Sequence, residues 1–162
     1  MLAGGASSRF GSDKALALVD GKPLIAHVVD ALAGQSATVV VCGRAWGNLL
    51  QLDDVPHGGL GPMAGLAAAL AHAQANGFEA VLCAPCDILG LPADLADMLA
   101  PGPSVTRDQW LIGLWPAALA GVLAELLHAE GAISARRWAQ LSAARTVTLP
   151  PVRNINLPDD LC

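Results

Sequence analysis

Short apolar runs alternate along this chain with longer alanine- and leucine-rich segments of helical spacing, and that alternation restricts the fold more than any other feature. The runs ATVVVCG (residues 37–43) and FEAVLCAP (78–85) are unbroken and apolar, as expected for strands buried on both faces. Leu24, Ile25, Val28, Val29 and Leu32 recur at helical spacing in KPLIAHVVDALAG (22–34), which has a proline near its start and a glycine at its end. PMAGLAAALAHAQANG (62–77) reads the same way, and PADLADMLA (92–100), a segment from about 117 to 129, and ISARRWAQL (133–141) read as further helices. SVTRD and QWLIGLWP (104–116) form a hairpin-like excursion, RTVTLP (145–150) a strand and LPDDLC (157–162) a terminal turn of helix. The pattern predicts an α/β fold: a three-layer, Rossmann-like sheet, mostly parallel, with helices on both faces and ligand loops at the carboxyl ends of the strands.

At 162 residues and 54% hydrophobic content, one compact domain spanning 1–162 is expected. The formal charge of -5, with only 14% charged residues, lacks the basic footprint of a nucleic-acid binder, so an anionic ligand must be held by local groups. No apolar run reaches the roughly 18 residues of a spanning helix, so no membrane association is expected. A polar glycine loop stands where a signal peptide would carry its apolar region, which predicts a cytoplasmic location. There Cys42, Cys83, Cys86 and Cys162 stay thiols. Cys83 and Cys86 have the spacing of a redox or zinc motif, but no second pair accompanies them and they end a strand-like run.

The loop LAGGASSRFGSDK (2–14) is the chemically informative stretch. Gly4 and Gly5 allow close approach of main-chain N–H groups to an anion, and Ala3, Ala6, Ser7 and Ser8 keep the loop small. Arg9 and Lys14 add a planar fork and a point charge within one loop length, which suits a triphosphate. The string fits neither the P-loop nor the dinucleotide fingerprint. A plain glycine turn with solvated charges is the alternative.

LAGGASSRFGSDKAL (2–16) resembles the signature of the nucleotide-diphospho-sugar transferase-like nucleotidyltransferases, and within them of the MobA-type molybdenum cofactor guanylyltransferases. DGKPLIAHV (20–28), DDVPHGGLGPMAGL (53–66), CAPCDILGLP (83–92) and RNINLPDDL (153–161) follow in the family's order over nearly the whole length. The resemblance implies transfer of GMP from GTP to molybdopterin, the organic part of the molybdenum cofactor, with release of pyrophosphate. Leu2, Ala3, Gly4 and Gly5 are then GTP contacts, and Arg9 and Lys14 catalytic cations that also hold the phosphates. Asp87 is a nucleotide contact and the ligand of a catalytic Mg²⁺, consistent with a hard oxygen donor at the end of a strand. Asp54 is the implied nucleotide-contacting aspartate, with Asp53 beside it an alternative, and Asn154 and Asn156 are substrate-side candidates. Cofactor-delivery proteins are implied partners. His27, on an apolar helix face, reads as a satisfied core residue, and His57 has no assigned role.

The chain departs from the family pattern in three places. Only Met1 precedes Leu2 where a first strand of about four or five residues is expected, so the first strand is read as truncated, either a stub held by its neighbours or the remainder of a longer strand begun upstream. Cys42 stands where a polar residue is common, and QWLIGLWP (109–116) stands where the resembled family commonly has a His-Pro or Gln-Pro-Leu segment on the molybdopterin side. LAGG and PCD favour guanine over cytosine by analogy. Two rivals keep the same fold: a nucleotidyltransferase that uses CTP or a sugar or polyol phosphate, and a non-catalytic nucleotide-binding module.

Overall fold

The chain joins the sheet at its second residue. In this computed structural model, which describes residues 1–4 and 13–155, Leu2 bridges in parallel to Cys42 on one side and to Pro85 on the other. The Leu2 N–H donates to the Ala84 carbonyl (2.9 Å), Ala3 N–H to Cys42 (2.9 Å), Cys42 N–H to Met1 (3.0 Å) and Cys86 N–H to Leu2 (3.0 Å). The terminal ammonium donates to the Val40 carbonyl at 2.8 Å. The stub is thus held by both neighbours.

A 3-10 turn at Lys14–Leu16 leads into a tight hairpin, β1 (Leu18–Val19) and β2 (Lys22–Pro23), closed by Asp20 and Gly21 with φ of 51° and 76°. Asp-Gly is the pair that tolerates two positive φ values in a two-residue turn. Helix α1 (Leu24–Ala33) therefore starts at Leu24, later than the sequence periodicity suggests, because Lys22 and Pro23 are spent on the hairpin. The order continues β3 (Val40–Cys42), β4 (Leu50–Leu52), α2 (Pro62–Ala75), β5 (Ala80–Cys83), β6 (Ile88–Leu89), α3 (Leu95–Leu99), β7 (Ser104–Thr106) and β8 (Gly113–Pro116). It closes with α4 (Ala120–Glu130), α5 (Ala135–Leu141), β9 (Arg145–Val147) and β10 (Arg153–Asn154). The short strands β4, β6 and β10 are not foreseen by the sequence pattern, and the expected terminal helical turn lies outside the described residues.

β3 pairs with β4 and β7 with β9 in parallel, whereas β8 runs antiparallel to both β5 and β7. Through residues 1–3 the order reads β4, β3, stub, β5, β8, β7, β9. This is an α/β fold with a mixed sheet. The antiparallel insertion follows from the short link after β7, since a brief connection allows only a hairpin.

Side chains along the central strands alternate between two apolar clusters. Leu2, Cys42 and Cys83 join one cluster with Leu66 and Leu70 of α2, Leu123 of α4 and Trp138 of α5. Met1, Ala3, Val41 and Ala84 join the other with residues of α1 and α3. Helix α2 buries most of its residues, which suits a helix apolar all round. The rings of Trp115 and Trp138 pack at 5.8 Å between centroids. Full burial of side chains such as Leu66 and Leu70 stabilises by about 1.5–3 kcal/mol each. The result is a fixed platform whose strand ends carry the motif residues. No helix among the described residues is long and apolar enough to cross a membrane.

Candidate active site

The stub, β3, β4 and β5 all end on one side of the sheet, and each delivers a motif residue there. Gly4 continues from the stub, and Gly43 leaves β3 against it with φ of 91°. A Cβ on Gly43 would lie 2.5 Å from Gly4 Cα and 2.6 Å from Gly4 N, so both the backbone angle and the contact require glycine. Cys42, buried in the core beneath, is packed apolar surface and not a polar contact. Burial raises its thiol pKa.

Beside Gly4 lies a cleft of about 340 Å³ lined by Leu2, Gly4, Cys42, Asp54, Gly61 and Gly65. Gly65 lets α2 come close to the stub and β3 here: a Cβ there would stand 3.0 Å from Cys42 Cβ, 3.1 Å from Leu2 Cδ2 and 3.6 Å from Asp54 Oδ1. Of the two adjacent aspartates, Asp54 lines this cleft and Asp53 is exposed. Burial, followed by the charge of Asp53, raises the Asp54 pKa. The loop is tied to α2 by the Val55 N–H, which donates to the Ala64 carbonyl at 3.2 Å.

Near the ends of β3 and β5 the charged residues gather. Lys14 Nζ donates to Asp87 Oδ2 at 2.9 Å, with the two side chains 14% and 28% exposed. Two residues 73 positions apart, both singled out in the sequence, therefore meet. Asp87 follows Cys86, whose N–H is bonded to Leu2, and the Asp87 carbonyl accepts from the Ile155 N–H at 3.0 Å. Asn154 pairs opposite Ile88 in the β6–β10 ladder, which puts the terminal motif one residue beyond Asp87. Asn154 is exposed. Gly5, Arg9 and Asn156 lie outside the described residues.

Two residues that the sequence reading gave no role complete the charged group. Arg44, next after Gly43, donates from Nη1 to Asp13 Oδ1 at 2.7 Å and from Nη2 to Asp13 Oδ2. Asp13 also accepts from Ala15 N–H at 3.3 Å, capping the turn that carries Lys14. The Arg44 bond is the main reason the Asp13 pKa is lowered. Cys86 sits among these charges: burial and then Asp87 push its thiol up to about 11, while Arg44 and Lys14 pull it back. Burial takes Cys83 to about 12. Cys83 belongs to one core cluster and Cys86 packs against the other, so the CxxC spacing builds no disulfide or metal pair. His27 Nε2 lies 3.0 Å from the Val19 carbonyl, a satisfied structural contact, and His57 is exposed with Nδ1 2.9 Å from the carbonyl of Gly58.

The donor set bears on what metal this group can take. Among the described residues no three His, Cys, Asp or Glu side chains converge on a point where they could hold a metal ion. A single partly exposed carboxylate beside a lysine fits a small hard cation that keeps waters and borrows its remaining oxygens from a phosphate substrate. In the link between β7 and β8, Trp110 lies under Arg136 of α5, whose guanidinium is 5.7 Å from the ring centroid, so part of the departing segment 109–116 serves packing.

The MobA-like NTP transferase domain family matches residues 1–146. The molybdenum cofactor guanylyltransferase of Acidiphilium cryptum (strain JF-5) is 34% identical over 99% of this chain and 90% of that protein. That of Rhodobacter capsulatus is 37% identical with the same coverage. The solved structure of molybdopterin-guanine dinucleotide biosynthesis protein A from Archaeoglobus fulgidus superposes with a TM-score of 0.73, 23% identity and coverage of 99% and 92%. The 2-C-methyl-D-erythritol 4-phosphate cytidylyltransferase of Thermus thermophilus reaches 0.61 at 15% identity, covering 99% of this chain and 93% of that one. The fold is thus shared across different substrates.

Proposed function

We propose, from the premise that the chain belongs to the MobA-like NTP transferase family, that it is a molybdenum cofactor guanylyltransferase. The observation that carries the reading is the meeting of Lys14 with Asp87 at 2.9 Å, together with a glycine-rich cleft that holds Asp54. Cations, a hard carboxylate and a nucleoside-sized recess are what nucleotidyl transfer needs. We read the architecture more finely as a Rossmann-like, three-layer single domain acting in the cytoplasm on GTP and molybdopterin supplied by delivery proteins.

In this reading the main chain of residues 2–5 and the cleft around Asp54 hold the nucleoside. Lys14, with Arg9, holds the triphosphate and stabilises the charge that accumulates as pyrophosphate leaves. Asp87 holds a divalent cation, Mg²⁺, which neutralises phosphate charge when bound. A phosphate oxygen of molybdopterin attacks the α-phosphorus of GTP, a new P–O bond forms, and the bond to pyrophosphate breaks. The attacking phosphate is already anionic near neutral pH, so no general base is required. Asn154 and Asn156 stand on the acceptor side.

Product analysis tests this. Magnesium-dependent release of pyrophosphate from GTP is expected with molybdopterin and not with sugar or polyol phosphates. Release only with the latter, or only from CTP, overturns the assignment in favour of a sister transferase.

A further inference from the structure

The Asp13–Arg44 pair is poorly explained as a device for stability. Asp13 is 41% and Arg44 25% exposed, and ion pairs that open to water contribute little to folding. Its geometry is nevertheless of the more specific kind, with both guanidinium Nη atoms on both carboxylate oxygens. What it joins is informative. Arg44 leaves β3 directly after Gly43, whose backbone is wedged against Gly4. Asp13 caps the turn whose first residue is Lys14. The pair thus ties the segment bearing the catalytic lysine to the rigid end of a core strand, 31 positions away in sequence. Arg44 Nε is buried without a hydrogen-bond partner among the described residues, so the side chain is fixed by the fork to Asp13 and by packing. Cys86 feels both Arg44 and Lys14, which places the two cations on the same neighbour of Asp87.

We propose that Arg44 is a positioning residue of the transferase reaction: by holding Asp13 it aims Lys14 at Asp87 and at the triphosphate. The inference rests on the transferase reading for its substrate, but its geometric part concerns the free protein. Lysine fits this role poorly at position 44, because a single ammonium cannot engage both carboxylate oxygens. Asp13→Asn keeps the cap of the turn, since asparagine caps as well as aspartate, and removes only the charge pair.

The test is a mutant cycle with two readouts. Arg44→Gln and Asp13→Asn should each weaken binding of GTP about tenfold with nearly unchanged melting temperature, and the double variant should lose little more than either single one. In a Lys14→Ala background, Arg44→Gln should change affinity by less than about twofold. An equal loss with and without Lys14 overturns the proposal, because Arg44 would then act on the nucleotide or on the fold by itself. The second readout is ¹⁵N ammonium NMR of the free protein, whose two lysines are Lys14 and Lys22. The Lys14 signal, assigned with Lys22→Arg, should broaden or shift in Arg44→Gln. An unchanged Lys14 signal refutes the positioning role whatever nucleotide is bound. A changed signal in a protein that binds no nucleotide keeps the positioning role and refutes the transferase reading.

Discussion

Two regions adjoin the Leu2 stub, and they are built on opposite principles. The cleft is shaped by close packing: Gly65 lets α2 approach Leu2 and Cys42, and Asp54 stands half-buried there with its pKa raised. The charged cluster is shaped by ion pairs: Lys14 with Asp87 and Asp13 with Arg44, the Asp13 pKa lowered chiefly by its Arg44 bond. In the proposed function the first recognises by shape and the second by electrostatics. A nucleotide is the class of ligand that needs both, an apolar-sided nucleoside recess joined to a polyanion site.

The largest expected effect breaks both regions together. Gly43→Ala puts a Cβ 2.5 Å from Gly4 Cα at a φ of 91°, and should destabilise the fold by about 3 kcal/mol, read by denaturant unfolding, with nucleotide binding lost. An unchanged midpoint would mean that the glycine contact does not fix the cradle. Next come substitutions that separate the two regions. Lys14→Ala should weaken triphosphate binding by about 10- to 100-fold and flatten its salt dependence, since one charge contact is removed. Asp54→Asn should weaken binding while leaving the salt dependence as it was.

The smallest effect concerns pH, and its sign differs between the regions. The folded-state pKa of Asp54 is raised, so its ionised form opposes folding at neutral pH, and the opposition disappears as pH falls through that raised value. Asp54→Asn should therefore be more stable than wild type at pH 7 by less than about 0.5 kcal/mol, and the gain should vanish in acid. Asp13, lowered in the folded state, behaves the other way: its contribution is present above the ordinary carboxylate range and is lost as pH falls through the lowered value. Thermal melts of Asp54→Asn and Asp13→Asn against pH should diverge in opposite directions from wild type. Parallel curves would contradict the assignment of the two environments.

The sequence carried the two regions unequally. The glycine loop, Lys14, Asp54 and Asp87 are legible because each lies in a local motif that the strand ends display. Asp13 stands inside the same motif, yet its partner Arg44 is 31 residues away, and no periodicity reports such a pairing. Long buried runs gave α2 and β5, whereas β4, β6 and β10 have two or three residues each and exist through non-local pairing. The Asp20-Gly21 hairpin did have a local signal, but the helical spacing from Leu24 onward masked where α1 begins. The acceptor side is the least legible part, because segment 109–116 mixes sheet pairing with packing around Trp110 and Trp115.

The most direct test of the central claim, that cleft and charged cluster form one guanine nucleotide site, is calorimetric titration of wild type, Lys14→Ala and Asp87→Ala with GTP, CTP and ATP, with and without magnesium. The account predicts GTP preferred by about tenfold or more, affinity lost in Lys14→Ala, and magnesium dependence lost in Asp87→Ala. Equal affinity for the three nucleotides, or no binding by a folded wild-type protein, would contradict it.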